Sequence, residues 1–205
     1  MLDLKQKKDS TVSSFLAHSL VGITIANQEQ HKGVKEVIFI SLFFMVMASS
    51  PDIDYLINYL CGESMLIRYT HSVGYVVLVT LVALILRVTL LKYWLKRLPF
   101  WLFFIAPASH LLLDFCVGVY GNPYFYPFSK ELFVSTLGFL PSSGRIDFYN
   151  YYFWRNMGIE LAIFIPIFLL LIPKLRATIL KVRYLKGTLI FSFILGVVMG
   201  LSLDR

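Results

Sequence analysis

Apolar residues are gathered along the chain in long blocks, and polar and basic residues fill the stretches between them. A helix that crosses a bilayer takes about 20 mostly apolar residues. Residues 72–86, continuing past Arg87 to 91, supply such a span if Arg87 snorkels to the interface along its aliphatic stem. Residues 98–117, entered through Pro99 and Trp101, predict a second span. A third covers 34–50, with Lys35 and Glu36 at its mouth. Residues 157–172, with Glu160 and Pro166 inside, predict a fourth, and 187–203 a fifth. The block 12–26 is short and holds His18; it crosses with a tilt or dips in under cover of other helices. The pattern predicts an all-α fold: one domain over 1–205, a polytopic membrane bundle of five or six helices.

Composition agrees. The chain is 58% hydrophobic and 15% charged, whereas an average soluble domain carries about a quarter charged residues. The net charge of +7 does not point to nucleic acid, because the basic residues sit in short clusters between apolar blocks, as in cytoplasmic membrane loops. The start is polar and lysine-bearing, with no small-residue cleavage site after it, and does not read as a removed signal peptide. Cys61 and Cys116 form neither a CxxC knuckle nor a disulfide framework and read as plain thiols.

Charge also sets an orientation. Lys92, Lys96 and Arg97 form one basic loop; Lys174, Arg176, Lys181, Arg183 and Lys186 form another. Both belong on the cytoplasmic side by the positive-inside rule. Chain parity then places the loops 51–70 and 118–156 on the outer face. Lys5, Lys7 and Lys8 run against this if 12–26 crosses. The loop 118–156 holds the aromatic runs VYGNPYFYPF and FYNYYFW, which suit an interfacial loop, a lid or a lipid entrance.

On this topology the ionisable residues converge. Asp52 and Asp54, in SSPDIDYL, follow the end of one span; His71, in RYTHSVG, precedes the next; His110 and Asp114, in SHLLLD, lie near the outer end of a third. His110 and Asp114 are four apart and share a helix face, just after the helix-disturbing Pro107. Asp52 and Asp54 are two apart, which suits an extended turn aiming both carboxylates at one ion. Thr70 or Ser72 can cap the helix beginning beside His71. His18 joins the set if the N-terminus is outer, and Gly22, one turn on, permits close helix packing. His31, in a polar loop, reads as a surface histidine. Ionisable groups in membrane helices are functional by default, and mixed imidazole and carboxylate donors are what a hydrolytic divalent-metal site needs. No GxxxxGK[ST], GxSxG or HExxH motif occurs.

These motifs resemble a known family. His18 with Gly22, PDID at 51–54, RYTHS at 68–72, HLLLD at 110–114, then Gly118, Gly121 and the PFS of Pro127, Phe128 and Ser129 are similar to the inner-membrane metal-dependent hydrolases of the LexA-regulated YdjM type. The resemblance covers roughly the first two-thirds of the chain, with a metal-site core over 12–129. The order of ligands is also similar to part of the site in zinc-dependent phospholipase C and P1-type nucleases. That resemblance implies one metal held by Asp52 or Asp54, His71, His110 and Asp114, and a second held by His18 with Asp114 bridging. No histidine follows His110, and the N-terminal ligand of those secreted enzymes is absent, so a further histidine-bound metal is not expected.

The expected function is hydrolysis of a phosphoester in a lipid or lipid-linked substrate at the outer leaflet of the inner membrane. One or two divalent ions, expected to be zinc, would lower the pKa of a bound water to about 7. Whichever of Asp52 and Asp54 does not bind metal would act as base or orient a histidine. Arg68 is the expected phosphate clamp, ahead of Lys130, Arg145 and Arg155. The alternatives are a divalent-ion transporter or metal-stabilised scaffold, whose ligands belong near the midplane, and a membrane protease or amidase. Substrate, metal identity and oligomeric state are not legible in the sequence.

Overall fold

The computed structural model describes residues 15–28, 33–54, 57, 60, 68–117, 121–135 and 149–203. The readings made for Lys5, Lys7, Lys8, His31, Cys61, Gly118 and Arg145 fall outside these. The described part is all-α, with one isolated antiparallel bridge between Asn122 and Phe133.

Helix α1 (Phe15–Ala26) and α2 (Val34–Ser49) form an antiparallel hairpin. Their approach depends on Gly22: a Cβ there would lie 2.6 Å from Met45 Cγ and closer still to the Met45 backbone. On α2 the core residues Ile40, Phe44 and Met47 occupy one row, while Val34, Ile38, Leu42 and Val46 form an exposed row on another side. A helix apolar on both faces is one that water does not surround. Pro51 has no N–H to offer the carbonyl of Met47; Ser50 supplies both its backbone N–H and its hydroxyl instead, at 2.8 Å for the hydroxyl. The chain then tightens into a 3₁₀ turn, Ser50–Asp52, and stays helical through Ile53 and Asp54. The extended turn expected at Asp52 and Asp54 is therefore replaced by helix.

Helix α3 (Val73–Val88) begins at Ser72, whose hydroxyl accepts from Tyr75 N at 3.2 Å, the expected cap. After α3 comes the short α4 (Lys92–Leu95). Arg87 does not simply reach outward: its guanidinium donates to the carbonyls of Leu95, Lys96 and Leu98 at 3.3, 2.9 and 3.0 Å and so closes this turn. Helix α5 (Trp101–Val117) returns beside α2 and α3. Helix α6 (Tyr151–Leu171) starts six residues before the predicted span, because Asn150 accepts from Tyr152 N at 2.9 Å and caps it there. The expected basic loop after it forms helix α7 (Pro173–Lys181), followed by α8 (Arg183–Leu201).

Two of the helices contain a proline beyond their first turn, and each such proline leaves a carbonyl four residues earlier without its N–H. Neighbouring helices supply the missing donors. Thr80 Oγ1 of α3 shares its single proton between Val76 O of its own helix at 2.8 Å and Phe103 O, the carbonyl freed by Pro107, at 3.3 Å. Ser192 Oγ of α8 donates to Ala162 O, freed by Pro166, at 3.1 Å. In an apolar medium these carbonyls have no water to turn to. Ser192→Ala is expected to destabilise the protein by about 1–3 kcal/mol, read as a lower thermal midpoint in detergent; an unchanged midpoint would refute the assignment.

Among the described residues, Val34–Asp52, Tyr151–Leu171 and Arg183–Leu201 are long and apolar enough to cross a membrane, and the other apolar helices, in α1, α3 and α5, are shorter. The helices alternate in direction so that the end of α2, the start of α3 and the end of α5 meet at one end of the bundle. Gln28 Nε2 donates to Leu171 O at 2.9 Å, which joins the far ends of α1 and α6. The basic residues after α3 and after α6 follow these far ends.

Candidate metal centre

The polar residues brought to the near end come from four segments. His18 lies in α1, Asp52 and Asp54 in the turn after α2, His71 before α3, and His110 and Asp114 on one face of α5. His18, His71 and His110 are fully buried, Asp54 and Asp114 nearly so. Ligand atoms of three overlapping triads lie within 4.8 Å of one another: His18, Asp52 and His110; His71, His110 and Asp114; Asp52, Asp54 and His71. Every metal ligand expected from the sequence is in this cluster.

Hydrogen bonds set which atoms face inward. His110 Nδ1 lies 2.8 Å from Ala48 O. A carbonyl only accepts, so Nδ1 carries the proton and Nε2 presents a lone pair to the cluster. There His110 Nε2 lies 3.2 Å from His71 Nε2, 3.5 Å from Asp52 Oδ1 and 3.6 Å from Asp114 Oδ2. The His18 ring stacks on His110 with centroids 3.8 Å apart, and His18 Nε2 lies 3.8 Å from Asp114 Oδ1.

Asp52 and Asp54 divide around His71. Asp52 Oδ1 lies 3.5 Å from His71 Nε2, whereas Asp54 Oδ2 lies 3.3 Å from Nδ1, on the other side of the ring. Thr70 Oγ1 donates to the same Asp54 oxygen at 2.9 Å. Helical geometry explains the split: residues two apart point to nearly opposite sides, so the carboxylates bracket the imidazole rather than share one point. Burial would raise the Asp54 pKa, but His71 and the Arg68 guanidinium outweigh it and hold the carboxyl below its ordinary range.

Arg68 goes deeper than a rim clamp. Its Nη2 donates to Asp52 Oδ1 at 3.0 Å and its Nε to Asp54 Oδ2 at 3.3 Å, Nη1 lies 3.8 Å from Asp114 Oδ2, and the guanidinium also meets His71 Nε2. It places one positive charge among three carboxylates. Lys130 is exposed, and Arg155 stacks over Tyr152 and donates to Asn156 Oδ1.

The donor set fits a divalent ion. Neutral imidazole nitrogens and carboxylate oxygens are the donors zinc and similar ions take. Among the described residues, buried Asp114 makes no well-aligned hydrogen bond through either oxygen and is held only by ion-pair contacts of 3.2–3.8 Å to His18, Arg68, His71 and His110, and a buried carboxylate needs such compensation. A cation between these groups would meet that need. Burial disfavours an imidazolium at His71, but the carboxylates of Asp114, Asp52 and Asp54 outweigh it and raise its pKa to about 10. A divalent ion held by His71 would have to displace that proton, so metal affinity is expected to climb with pH, by up to about tenfold per unit. Competition against a chelator across the range from about pH 6 to about pH 8 checks this; a flat affinity counts against His71 as a ligand.

The family model described as YdjM inner membrane protein matches residues 13–184. The chain belongs to this family. No curated protein and no solved structure matches it. The YdjM match extends well beyond the motifs at 18–129 and takes in α6 and α7. It places the protein in the inner membrane.

Sequence reasoning missed Tyr124. Burial raises the pKa of its half-buried hydroxyl against a side-chain hydrogen bond with Asn122 that lowers it, the charges of Asp114 and Arg68 adding less, and its ring meets Phe115 edge-on at 6.0 Å. It stood out from the other aromatics of the loop by no sequence signal.

Proposed function

We propose that this YdjM-family protein is a metal-dependent hydrolase that cleaves a phosphoester in a lipid or lipid-linked substrate. The observation that carries this reading is the convergence of three histidines and three aspartates at one end of an apolar bundle. His18, Asp52, His71, His110 and Asp114 would hold one or two divalent ions, with zinc the best match to the donors. A bound divalent ion supplies Lewis acidity toward phosphoryl oxygen and acidifies water.

The chain's own groups do the rest. Ala48 O fixes His110 and Asp54 fixes His71, so both rings offer Nε2. Asp52 is the most accessible of the three carboxylates, at 15% side-chain exposure against 3% and 4% for Asp54 and Asp114. It is the one placed to meet substrate and to take a proton. Arg68 balances the carboxylates and, once a divalent ion takes over that task, turns its guanidinium to the substrate phosphate. Arg68→Ala is thus expected to bind metal at least as tightly as the wild type while KM rises about tenfold or more. Weaker metal binding would show instead that Arg68 only supports the fold.

The basic residues at the far end support a site on the non-cytoplasmic face. The position of Asp52, Asp54 and His71 at helix ends speaks for an enzyme over a transporter, whose site belongs at the midplane. The deciding experiment incubates purified protein with phospholipid vesicles and measures metal-dependent release of phosphate or phospho-headgroup. Release that Asp52→Asn abolishes is the expected result. Divalent-ion flux without turnover, or cleavage of peptides and amides alone, would overturn the proposal.

A further inference from the structure

The segment 121–135 packs beside the candidate centre, against Tyr69, Val73 and Phe115, and has two unlike sides. Its inner side is tied to the site. Val73 N at the start of α3 donates to Tyr124 O at 2.8 Å, and Tyr126 packs on Tyr69 with ring centroids 4.6 Å apart. Gly74 permits this approach: a Cβ there would lie 2.6 Å from Tyr126 O and 2.9 Å from Pro127 Cδ. Asn122 and Phe133 exchange backbone hydrogen bonds at 3.1 and 3.0 Å and close the segment into a compact loop.

The outer side is apolar and, among the described residues, exposed. Phe128 is 95% exposed, and Phe125 and Phe133, packed edge to face at 5.2 Å, are 54% and 37% exposed. Leu132 and Val134 flank them, also exposed. A phenyl ring held this far out is unfavourable in water. The surface beside the loop is of the same kind. Val73 and Val77 on α3, and Leu112 and Phe115 on α5, are exposed apolar residues of membrane-seeking helices and lead up to the loop. What covers those helices in an inner-membrane protein is acyl chain, and the loop continues their surface.

We infer that the loop 121–135 is a lip inserted into the leaflet nearest the site, with Phe125, Phe128 and Phe133 among the acyl chains and Tyr124 turned to the headgroup of the lipid being bound. Aromatic side chains favour this depth of the bilayer. The inference rests in part on the proposed hydrolysis and sharpens it: the substrate keeps its chains in the bilayer, and only its headgroup moves to the metal centre. The Tyr124 hydroxyl then donates to a phosphoryl oxygen beside Arg68.

The test has one arm independent of catalysis. Phe128→Cys, in a background with Cys61→Ser and Cys116→Ser, is labelled with a nitroxide and reconstituted in vesicles of phosphatidylethanolamine and phosphatidylglycerol. Collisions with oxygen, which concentrates among acyl chains, are expected to exceed those with chromium oxalate, which stays in water. The reverse order would overturn the lip, and so would a label shielded from both reagents, as when a second copy of the chain covers the loop. The second arm compares Phe128→Ser/Phe133→Ser with wild type on phospholipid vesicles and on a water-soluble aryl phosphate. We expect KM for the vesicles to rise about tenfold or more, from the lost apolar contact, with kcat/KM for the soluble ester unchanged. Equal losses on both substrates would overturn the lip. Tyr124→Phe is expected to raise KM for the vesicles with metal content intact; an unchanged KM removes Tyr124 from the headgroup contact. If no phosphoester is turned over at all, the proposed function fails while the collision experiment still decides where the loop lies.

Discussion

Asp114→Ala is expected to strip the protein of its metal. Asp114 lies against three histidines at once, with Oδ1 3.8 Å from His18 and Oδ2 3.2 and 3.6 Å from His71 and His110. Its two oxygens divide between the α1 and α3 sides of the cluster. Loss of an outer partner of a metal ligand costs 10–100-fold in affinity, and loss of the ligand itself should exceed about 100-fold. Elemental analysis of the purified protein, beside Asp114→Asn as an isosteric control, measures it. Elution position and helical circular dichroism report whether the variants fold. Wild-type metal content in a folded Asp114→Ala protein would remove Asp114 from the centre.

Asp52→Asn should silence turnover while leaving the protein folded. The substitution keeps the shape of the side chain and removes the charge on its accessible oxygen. The expected fall in kcat is about 10²–10⁴-fold, the range typical of a positioned proton-transfer group. Asp54→Asn makes the informative comparison. Its carboxylate faces Nδ1 of His71 and the Thr70 hydroxyl, so its loss should loosen metal binding by about 10–100-fold and lower activity only as far as metal is lost. Excess metal is then expected to restore Asp54→Asn and not Asp52→Asn. If both variants recover with added metal, Asp52 has no role beyond holding the ion.

The clustering of His18, Asp52, Asp54, His71, His110 and Asp114 was legible because these residues break an otherwise apolar pattern. His18, His110 and Asp114 are exceptions inside membrane-seeking helices, and exceptions of that cost have few explanations. The division of labour between Asp52 and Asp54 was not legible. It depends on the backbone after α2 remaining helical past Pro51, and a proline at that point favours a turn or a helix start equally well. The contacts of Arg87 and Arg68 were not legible either. Each could be placed at a helix end, but the partners that claim them are carbonyls and carboxylates made neighbours only by packing. The start of α6 was misplaced because the aromatic run at 151–154 reads as an interfacial loop until Asn150 caps it as helix. The donors for the carbonyls freed by Pro107 and Pro166 lie 27 and 26 positions from those prolines, at Thr80 and Ser192, beyond the reach of any local pattern.

The bond from His110 to Ala48 makes the length of one helix a functional quantity. Ala48 is in the last turn of α2, where backbone carbonyls run out of partners within the helix. That leftover acceptor is what decides which nitrogen of His110 keeps its proton. An added or deleted residue in α2 would turn Ala48 by about 100° and shift it by about 1.5 Å. The exposed row of α2 would notice little, since one apolar side chain on the outer surface serves as well as another. His110 would lose its reference point. Evolution can therefore rewrite the outward surface of this helix freely, but it has to count its residues.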